Sequence, residues 1–534
     1  MNLTAYGNEN IILNGNPKKT FFRATFNKYT NFGLQRFRIN YEGNRTLNYN
    51  SPTEFVFKIP RYAELLHDTY ISIQIPDIWS PVEISGNTLI PYEFRWIEEL
   101  GAHCIREVEI FSGGVTLASF PGEYLACLKE REFTDEKKAL WDKMCGNTTD
   151  LTDPGNAHGN VNMYPNAMYI NTTGVEPSIR GRRLYIPLDV FFCNSSKFSI
   201  PLVALQYQEI SIKLTFNPVS QFYTINDIDN VVDDSGLSYR MAPNPNILHH
   251  QMWHFIQPPA DVAGSRSLYN KNRNDWNADI HLMSTYIFLG QDERRVLAQG
   301  EHKILIKQVF TYDHLGVVGS KIVDVESKDL VENYMWRFRR SDAFMRNEWN
   351  NYTNWAYNNV IPQSITETLP LLNGQQINNP NSLHITGSLG EYSYNVKEIM
   401  MDMGIIMGGV YRENVMESGV YNYIEKYNRT NGNAKDCLYC YNFCLDNKKG
   451  KIQPSGAMNV NRFQVVSFEF NTINAPIDAQ GTQVDFICDA SGNPISFRKN
   501  VAKLNTYSYD LRIFEERFNV IVINSGRMGL LRAR

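Results

Sequence analysis

No apolar run in the sequence approaches the ~18 residues of a membrane-spanning helix, and the mean hydropathy is -0.37. Charge of one sign is also missing: 52 Lys and Arg stand against 56 Asp and Glu, a formal net charge of -4. That removes the sequence-wide basic field an unaided nucleic-acid binder needs. Cysteine is scarce, eight in 534 residues without regular spacing, which fits reduced thiols better than a disulfide framework. The motifs GxSxG, GxGxxG, HExxH and the phosphate-cradling GxxxxGKS/T are all absent, so no catalytic apparatus is visible in spacing. Residues 1–10 are polar and lack the basic start and apolar stretch of a signal peptide. Synthesis in the cytosol is the expectation.

What the chain does have points to sheets. Aromatics reach 13%, with 30 Tyr and 29 Phe, and these suit pleated surfaces. Asn, about a tenth of the residues, tolerates turns and left-handed backbone. Period-two alternation recurs: Phe55, Phe57 and Ile59; Ile71, Ile73 and Ile75; Val108 and Ile110; Ile210, Ile212, Leu214 and Phe216; Val466, Phe468 and Phe470; Tyr507, Tyr509, Leu511 and Ile513; then residues 518–523. One apolar and one polar face is the signature of antiparallel sheets. Helical candidates are short: 124–133, 134–145 and 329–338. Strands and helices do not alternate regularly, which argues against parallel α/β folds. Long aperiodic segments rich in Asn, Gly, Pro, Ser and Tyr cover 146–180, 217–275, 340–388 and 472–500. Their aromatic content, as in Trp349 to Trp355, predicts ordered projections rather than slack loops.

The chain also resembles itself. Residues 184–216 and 438–470 each run from a strand opening Leu-Tyr, through a Lys-containing turn and a short helical piece, to an alternating strand ending in Phe. Four identities would mean nothing alone, but the same order of elements recurs after roughly half the chain. Two β domains of one design follow. The expected division is an arm at 1–20, a first domain at 21–220, an acidic and then Pro-rich linker at 221–257, and a second domain at 258–534. Each half has room for an eight-stranded jelly roll with tall loops.

Candidate chemistry is thin. Cys437, Cys440 and Cys444 have a spacing that thiolate metal sites use, but a fourth ligand is missing locally, and buried small hydrophobes are the better reading. His249, His250 and His254 precede Pro258-Pro259 with no helical pattern around them, so a loop of ordinary histidines is expected. The Asp227–Asp234 run lacks the central Gly and closing Glu of a calcium loop. Trp336-Arg337-Phe338-Arg339-Arg340 interleaves rings and positive charge as nucleic-acid surfaces do, yet one short cluster in a mildly acidic chain reads rather as an inter-subunit or ion-paired face. No metal, cofactor or specific nucleic-acid contact is expected.

Five segments in order look like the major capsid proteins of nucleocytoplasmic large DNA viruses. They are Ala5-Tyr6-Gly7 through Leu13-Asn14-Gly15-Asn16-Pro17 to Phe32; Leu184-Tyr185-Ile186-Pro187-Leu188 to Tyr207; Tyr286-Ile287-Phe288-Leu289 with Asp292-Glu293-Arg294-Arg295; Gln453-Pro454-Ser455-Gly456; and Phe518-Asn519-Val520 with Ser525-Gly526-Arg527-Met528-Gly529-Leu530. The resemblance implies an all-β double jelly roll, two consecutive eight-stranded antiparallel sandwiches with long loop insertions and few short helices. It implies a homotrimeric, pseudo-hexameric capsomer in an icosahedral virion shell, made in the host cytoplasm and not an enzyme. The arm would meet minor capsid proteins or an internal membrane at the inner face. Family trimers often carry glycans, which makes Asn147, Asn171 and Asn351, among seven Asn-x-Ser/Thr sequons, the candidate glycosylation sites. Trp349, Tyr352, Trp355 and Tyr357 are expected to pack in an outward trimeric tower. The rival reading is a carbohydrate-binding or carbohydrate-active β-sandwich, for which aromatic loops would stack sugars.

Overall fold

The computed structural model describes residues 8–532 except 44, 81, 86–87, 168–175, 227–239, 248–249, 257–275, 359–370, 373–374, 377–396, 433–434, 448–452, 475–483, 489–493 and 500–506. Its strands form two sandwiches. The first uses β1 (Phe32–Asn40), β2 (Thr53–Lys58), β3 (Leu65–Gln74), β4 (Ile105–Ser112), β5 (Val115–Phe120), β6 (Arg183–Pro187), β7 (Ile200–Pro201), β8 (Ile210–Phe216) and β9 (His281–Leu289). One of its sheets runs β1-β9-β3, with β6 and β7 sharing the far side of β3 end to end; the other runs β2-β8-β4-β5. All pairs are antiparallel.

The second sandwich repeats this plan. Its strands are β10 (His302–Val317), β11 (Ser320–Val325), β12 (Leu330–Arg340), β13 (Met400–Met407), β14 (Val410–Glu417), β15 (Leu438–Asn442), β16 (Met458–Asn459), β17 (Val466–Thr472), β18 (Tyr509–Asn524) and an added β19 (Arg527–Leu530). The sheets run β10-β18-β12, with β15 and β16 together on β12, and β11-β17-β13-β14. Among the described residues, and counting the split strand once, the two sheets of each unit pair in the same order. The 33-residue self-similarity falls on β6-β7-β8 and β15-β16-β17, each of which leaves one sheet and crosses to the other.

The alternation explains the cores. Phe55, Phe57, Ile71, Ile73, Ile212 and Leu214 close the first sandwich, and Trp336, Phe338, Phe468 and Phe470 the second, all buried. Each such side chain contributes about 1.5–3 kcal/mol on removal from water. Rings meet edge to face, Phe55 on Phe216 at 5.6 Å and Phe338 on Phe470 at 5.2 Å between centroids. Both β4–β5 and β13–β14 turn on a glycine pair with positive φ throughout, Gly113 (+56°) and Gly114 (+86°), Gly408 (+60°) and Gly409 (+81°). That is the geometry of the tight hairpin whose twist matches its strands.

Helices are few. α1 (Gly122–Glu132) and α2 (Asp135–Cys145) follow β5, and α3 (Gln291–Gln299) links the units. α2 stops at Gly146 in left-handed backbone, φ 82°. Two expectations change. Residues 329–338, read as helical, form β12: it is buried on both faces, so hydrophobic residues are not confined to alternate positions. His281–Leu289, placed by the sequence in the second domain, pairs with β1 and β3 of the first. The expected linker also contributes Tyr223–Asn226 and Arg240–Met241, which join Arg95–Trp96 in a small sheet.

Candidate functional site

The two sandwiches meet along α1. Its sequence, Gly122-Glu123-Tyr124-Leu125-Ala126-Cys127-Leu128-Lys129-Glu130-Arg131-Glu132, is built of good helix formers, and Glu123 in the first turn faces the positive end of the helix dipole. All but Glu130 are buried, because one side lies on the first sandwich and the other on the β12–β18 face of the second. Gly122 permits the approach: a Cβ there would overlap the carbonyl oxygens of Ala102 and Ile105.

On β12 and β18, Asn333 lies opposite Glu516, Met335 opposite Phe514, and Arg337 opposite Arg512. This row forms the second unit's side of the junction. The Arg131 guanidinium donates to Glu132 Oε1 at 2.7 Å, Asn333 Oδ1 at 2.9 Å and Glu516 Oε1 at 2.6 Å. Tyr124 Oη donates to Glu516 Oε1 at 2.6 Å, and Asn333 Nδ2 to Glu516 Oε2 at 2.8 Å. Burial opposes ionisation of Glu516, but Arg131 and Lys307 with the Tyr124 and Asn333 hydrogen bonds outweigh it, holding the carboxyl at about 2. At the other end of α1, Glu123 takes a bidentate pair from Arg337 at 2.7 and 2.9 Å and a third bond from Arg512 at 2.7 Å. Burial again works against the charge, yet Arg337, Arg339 and Arg512 keep this carboxyl well below its usual range. Glu332 is different. Burial dominates and lifts it to about 7, with Lys307, 2.5 Å away, offsetting only part.

Below α1, Lys129 binds Glu99, Glu130 and Asp142. Asn147 Nδ2 completes this cluster, donating to Glu99 at 2.9 Å and Asp142 at 3.2 Å. The aromatic loop closes the side. Trp349 Nε1 donates to Gln221 O at 3.2 Å and Tyr357 Oη to Arg240 O at 2.7 Å. Tyr352 and Trp355 are buried; Arg337 and Lys435 lie over the Tyr352 ring and Lys397 over Trp355.

These placements correct several expectations. Trp349, Tyr352, Trp355 and Tyr357 are used within one chain, at its junction, and do not project as a tower. Asn351 is buried, its Nδ2 donating to Trp355 O at 2.8 Å and its Oδ1 accepting from Thr353. Its amide, like that of Asn147, is engaged by the fold, so neither is presented as a glycosylation site. Asn171, His249 and the Asp227–Asp234 run lie outside the described residues. The Trp336–Arg340 segment is the ion-paired face that its composition suggested. Cys437, Cys440 and Cys444 are buried, and burial pushes Cys437 up to about 12 and the other two to about 11. His250 and His254 are buried; the expected loop is instead a short 3-10 turn at Met252–His254, with His254 stacked on Trp253 at 3.6 Å.

The sequence reading missed Glu123, Arg131, Asn333 and Glu516. One signal was available: the alternating runs 509–513 and 518–523 lie on a single 16-residue strand, and the charged stretch between them, Glu515-Glu516-Arg517, is where the junction forms. Chemically, every carboxylate here is bound by Arg or Lys. The arrangement is an electrostatic clamp between the two sandwiches.

Residues 20–239 match the family model for the N-terminus of the major capsid protein. The chain is similar to the major capsid proteins of large DNA viruses. Against that of Chrysochromulina ericina virus it is 27% identical over 350 residues, 60% of this chain and 54% of the relative. The chain thus spans about half the length of the first curated relatives it matches. Against the major capsid protein of Paramecium bursaria Chlorella virus 1 it is 23% identical over 530 residues, 99% of this chain and 98% of that one. Among solved structures, the PBCV-1 virus capsid superimposes with TM-score 0.61 at 17% identity, over 96% of this chain and 100% of that one. The Faustovirus major capsid protein gives 0.59 at 13%, over 95% and 93%. The fold is therefore the all-β, two-sandwich fold of capsid proteins.

Proposed function

We propose that this chain is a structural shell protein, three copies of which form a pseudo-hexameric capsomer that tiles an icosahedral virus capsid. The observation that carries the reading is the repetition of one strand order in two sandwiches joined by a buried, ion-paired junction. Three chains of two similar units offer six similar sides, so a threefold assembly can fill a hexagonal lattice position. The clamp supports the same role, since a lattice needs the angle between units to be constant. We assign the first unit to residues 32–289, the second to 302–530, and the arm to the residues before β1. The arm's exposed Ile11, Ile12, Phe21 and Phe22 suit a docking segment toward minor capsid proteins or an internal membrane on the shell's inner side. The site of action is the virion, after synthesis in the host cytoplasm, and the role is not enzymatic. Light scattering on purified protein tests this: a mass near three times 61.5 kDa with six-lobed particles in negative stain is expected. A monomer at tens of micromolar overturns it.

A further inference from the structure

The ion pairs at the start of α1 leave one cation over. Three guanidiniums converge on Glu123, and each has a planar edge, Nε and Nη2, whose parallel N–H bonds match two oxygens of one anion. Arg337 uses that edge on Glu123, at 2.7 and 2.9 Å, and its Nη1 on Asp510 O at 2.9 Å. Arg512 uses its edge on Asp313, at 2.6 and 2.8 Å, and its Nη1 on Glu123 at 2.7 Å. Arg339 is different. Only its Nη1 is engaged, by Glu123 at 3.4 Å and by Trp349 O at 3.3 Å, both long bonds. Among the described residues its Nε and Nη2 donate to nothing. Burial, with Arg337 and Arg512 nearby, pulls Arg339 down to about 10 against the offsetting pull of Glu123, so it stays charged at neutral pH without a carboxylate of its own.

Arg339 lines a cleft of about 550 Å³ with walls from both sandwiches. That is far more room than a bare ion fills, and it lies in the range that small organic ligands occupy. From the first unit comes Arg106 of β4, exposed and with no hydrogen bond or ion pair among the described residues. From the second come Arg339 and the rings of Phe310 and Trp349. The Arg339 guanidinium lies over the Trp349 ring, 5.2 Å from its centroid, which holds it against that wall. Two uncharged groups share the lining. The side-chain amide of Gln221 has no partner among the described residues, and the buried His103 has an Nε2 with none. The charges do not cancel: Arg106, Arg339, Arg512 and Arg337 behind them meet only Glu107, Glu123 and Asp313. The surplus positive charge and the empty guanidinium edge fall on the same residue.

We propose that this cleft binds a phosphate or sulfate ester of a small organic molecule, with the oxyanion on the Nε–Nη2 edge of Arg339, Arg106 as the second cation, and the organic part against Phe310 and Trp349. A tetrahedral oxyanion gives two oxygens to the Arg339 edge and keeps others for Arg106 and the Gln221 amide, whereas a carboxylate is used up by a single guanidinium. The volume beyond the ion and the rings on the wall are what call for an organic group. The site lies beside the ion pairs that join the sandwiches, and it stands or falls without the shell reading.

Isothermal titration of the full chain, as purified, with phenyl phosphate, phenyl sulfate and benzoate at matched ionic strength tests it. Saturable binding of one ester per chain is expected, with benzoate weaker, and the tighter of the two esters names the natural one. Arg339→Lys keeps the charge but not the two-toothed edge, and is expected to weaken ester binding by about tenfold to a hundredfold, as the loss of a charge-assisted hydrogen bond implies. Arg106→Gln, at an exposed position, is expected to weaken it by a smaller factor with an unchanged melting curve. An Arg339 that served only the fold would shift the melting temperature of Arg339→Lys and leave its ester affinity alone. Absence of saturable binding to the wild type, benzoate binding as tightly as the esters, or unchanged affinity in both variants overturns the proposal. Should Arg339→Lys fail to fold, Arg106→Gln decides, and an unchanged affinity there overturns it.

Discussion

Replacing Glu516 by Gln is the most direct perturbation of the clamp. The shape is kept, but Arg131, buried with it, loses its charged partner on β18 and is left with Glu132. Holding the Glu516 carboxyl at about 2 instead of its ordinary 4.5 corresponds to about 3 kcal/mol of folding stability at 1.36 kcal/mol per pH unit. Breaking a buried pair from one side independently suggests about 3–5 kcal/mol. For a unit of this size each kcal/mol moves the melting temperature by roughly 2–4 °C, so a drop on the order of 10 °C is expected at pH 7. The sign with pH follows from the depressed value. The contribution is complete above about 4.5 and is lost as pH falls toward 2, so the gap between wild type and Glu516→Gln must shrink below pH 4.5. Melting followed by tryptophan fluorescence, with Trp336 in the adjoining core, reads this between pH 3 and 8. A gap under about 1 °C at pH 7, or an equal gap at pH 3 and pH 7, refutes the reasoning.

Further outcomes follow from the same geometry. Arg131→Met/Glu132→Met/Asn333→Leu/Glu516→Leu, which removes the guanidinium and both carboxylates it binds together, is expected to melt far closer to wild type than Glu516→Gln does, because no member of the cluster is left charged without its partner; a quadruple variant less stable than the single one contradicts this. Glu332, raised to about 7 by burial, keeps in the folded state a proton the unfolded chain has released, so it makes wild-type stability fall as pH rises from about 4.5 to 7. Glu348, also raised to about 7 by burial and by Glu98, adds to the same slope; Glu332→Gln should flatten it only in part, as melts at half-unit steps from pH 5 to 8 would detect. Gly122→Ala is expected to lower the melting temperature by several degrees, since the new methyl overlaps two backbone carbonyls, and a neutral result would mean α1 is not seated as described. Glycopeptide mapping of protein made in eukaryotic cells should find Asn147 and Asn351 unmodified, their amide nitrogens being hydrogen-bonded inside the fold.

Strand identity was legible wherever one face meets solvent. β2, with Phe55 and Phe57 in and Glu54 and Lys58 out, alternates as the physics requires. It failed at β12, where Asn333, Met335 and Arg337 face the other sandwich instead of water and are as buried as Tyr334 and Trp336; a strand covered on both sides has no period to read. Domain limits failed for a related reason. β9 closes the first sandwich from 65 residues past β8 (a long-range pairing that no local pattern announces). The clamp was half legible: the Trp336–Arg340 run betrayed an ion-paired face, while its partner Glu123 sits in an ordinary helix whose sequence carries no mark of what it touches. The aromatic loop shows the converse. Trp349, Tyr352, Trp355 and Tyr357 were read as packing in a trimeric tower; composition says only that rings will find a surface, not whether that surface belongs to the same chain.

That last ambiguity bears on how a duplicated sandwich becomes an assembly. The two units share their strand order, their glycine-turned β4–β5 and β13–β14 hairpins and the Gly-x-Tyr helix that follows, yet over the compared 33 residues few side chains agree. Backbone pairing tolerates this because a ladder is satisfied by any residue whose face matches. Side chains were then free to diverge according to what covers them. Where the chain covers itself, at α1, the surface became small and charged, with Ala126, Cys127 and Glu123 against a row of arginines, a combination that fixes an angle once and has no need to dissociate. The equivalent surface, on the turns Val420–Ile424 and Glu425–Arg429 after β14, carries exposed Tyr423, Ile424 and Tyr427. A chain that had only to be a stable monomer would be expected to treat both edges as surfaces to be sealed.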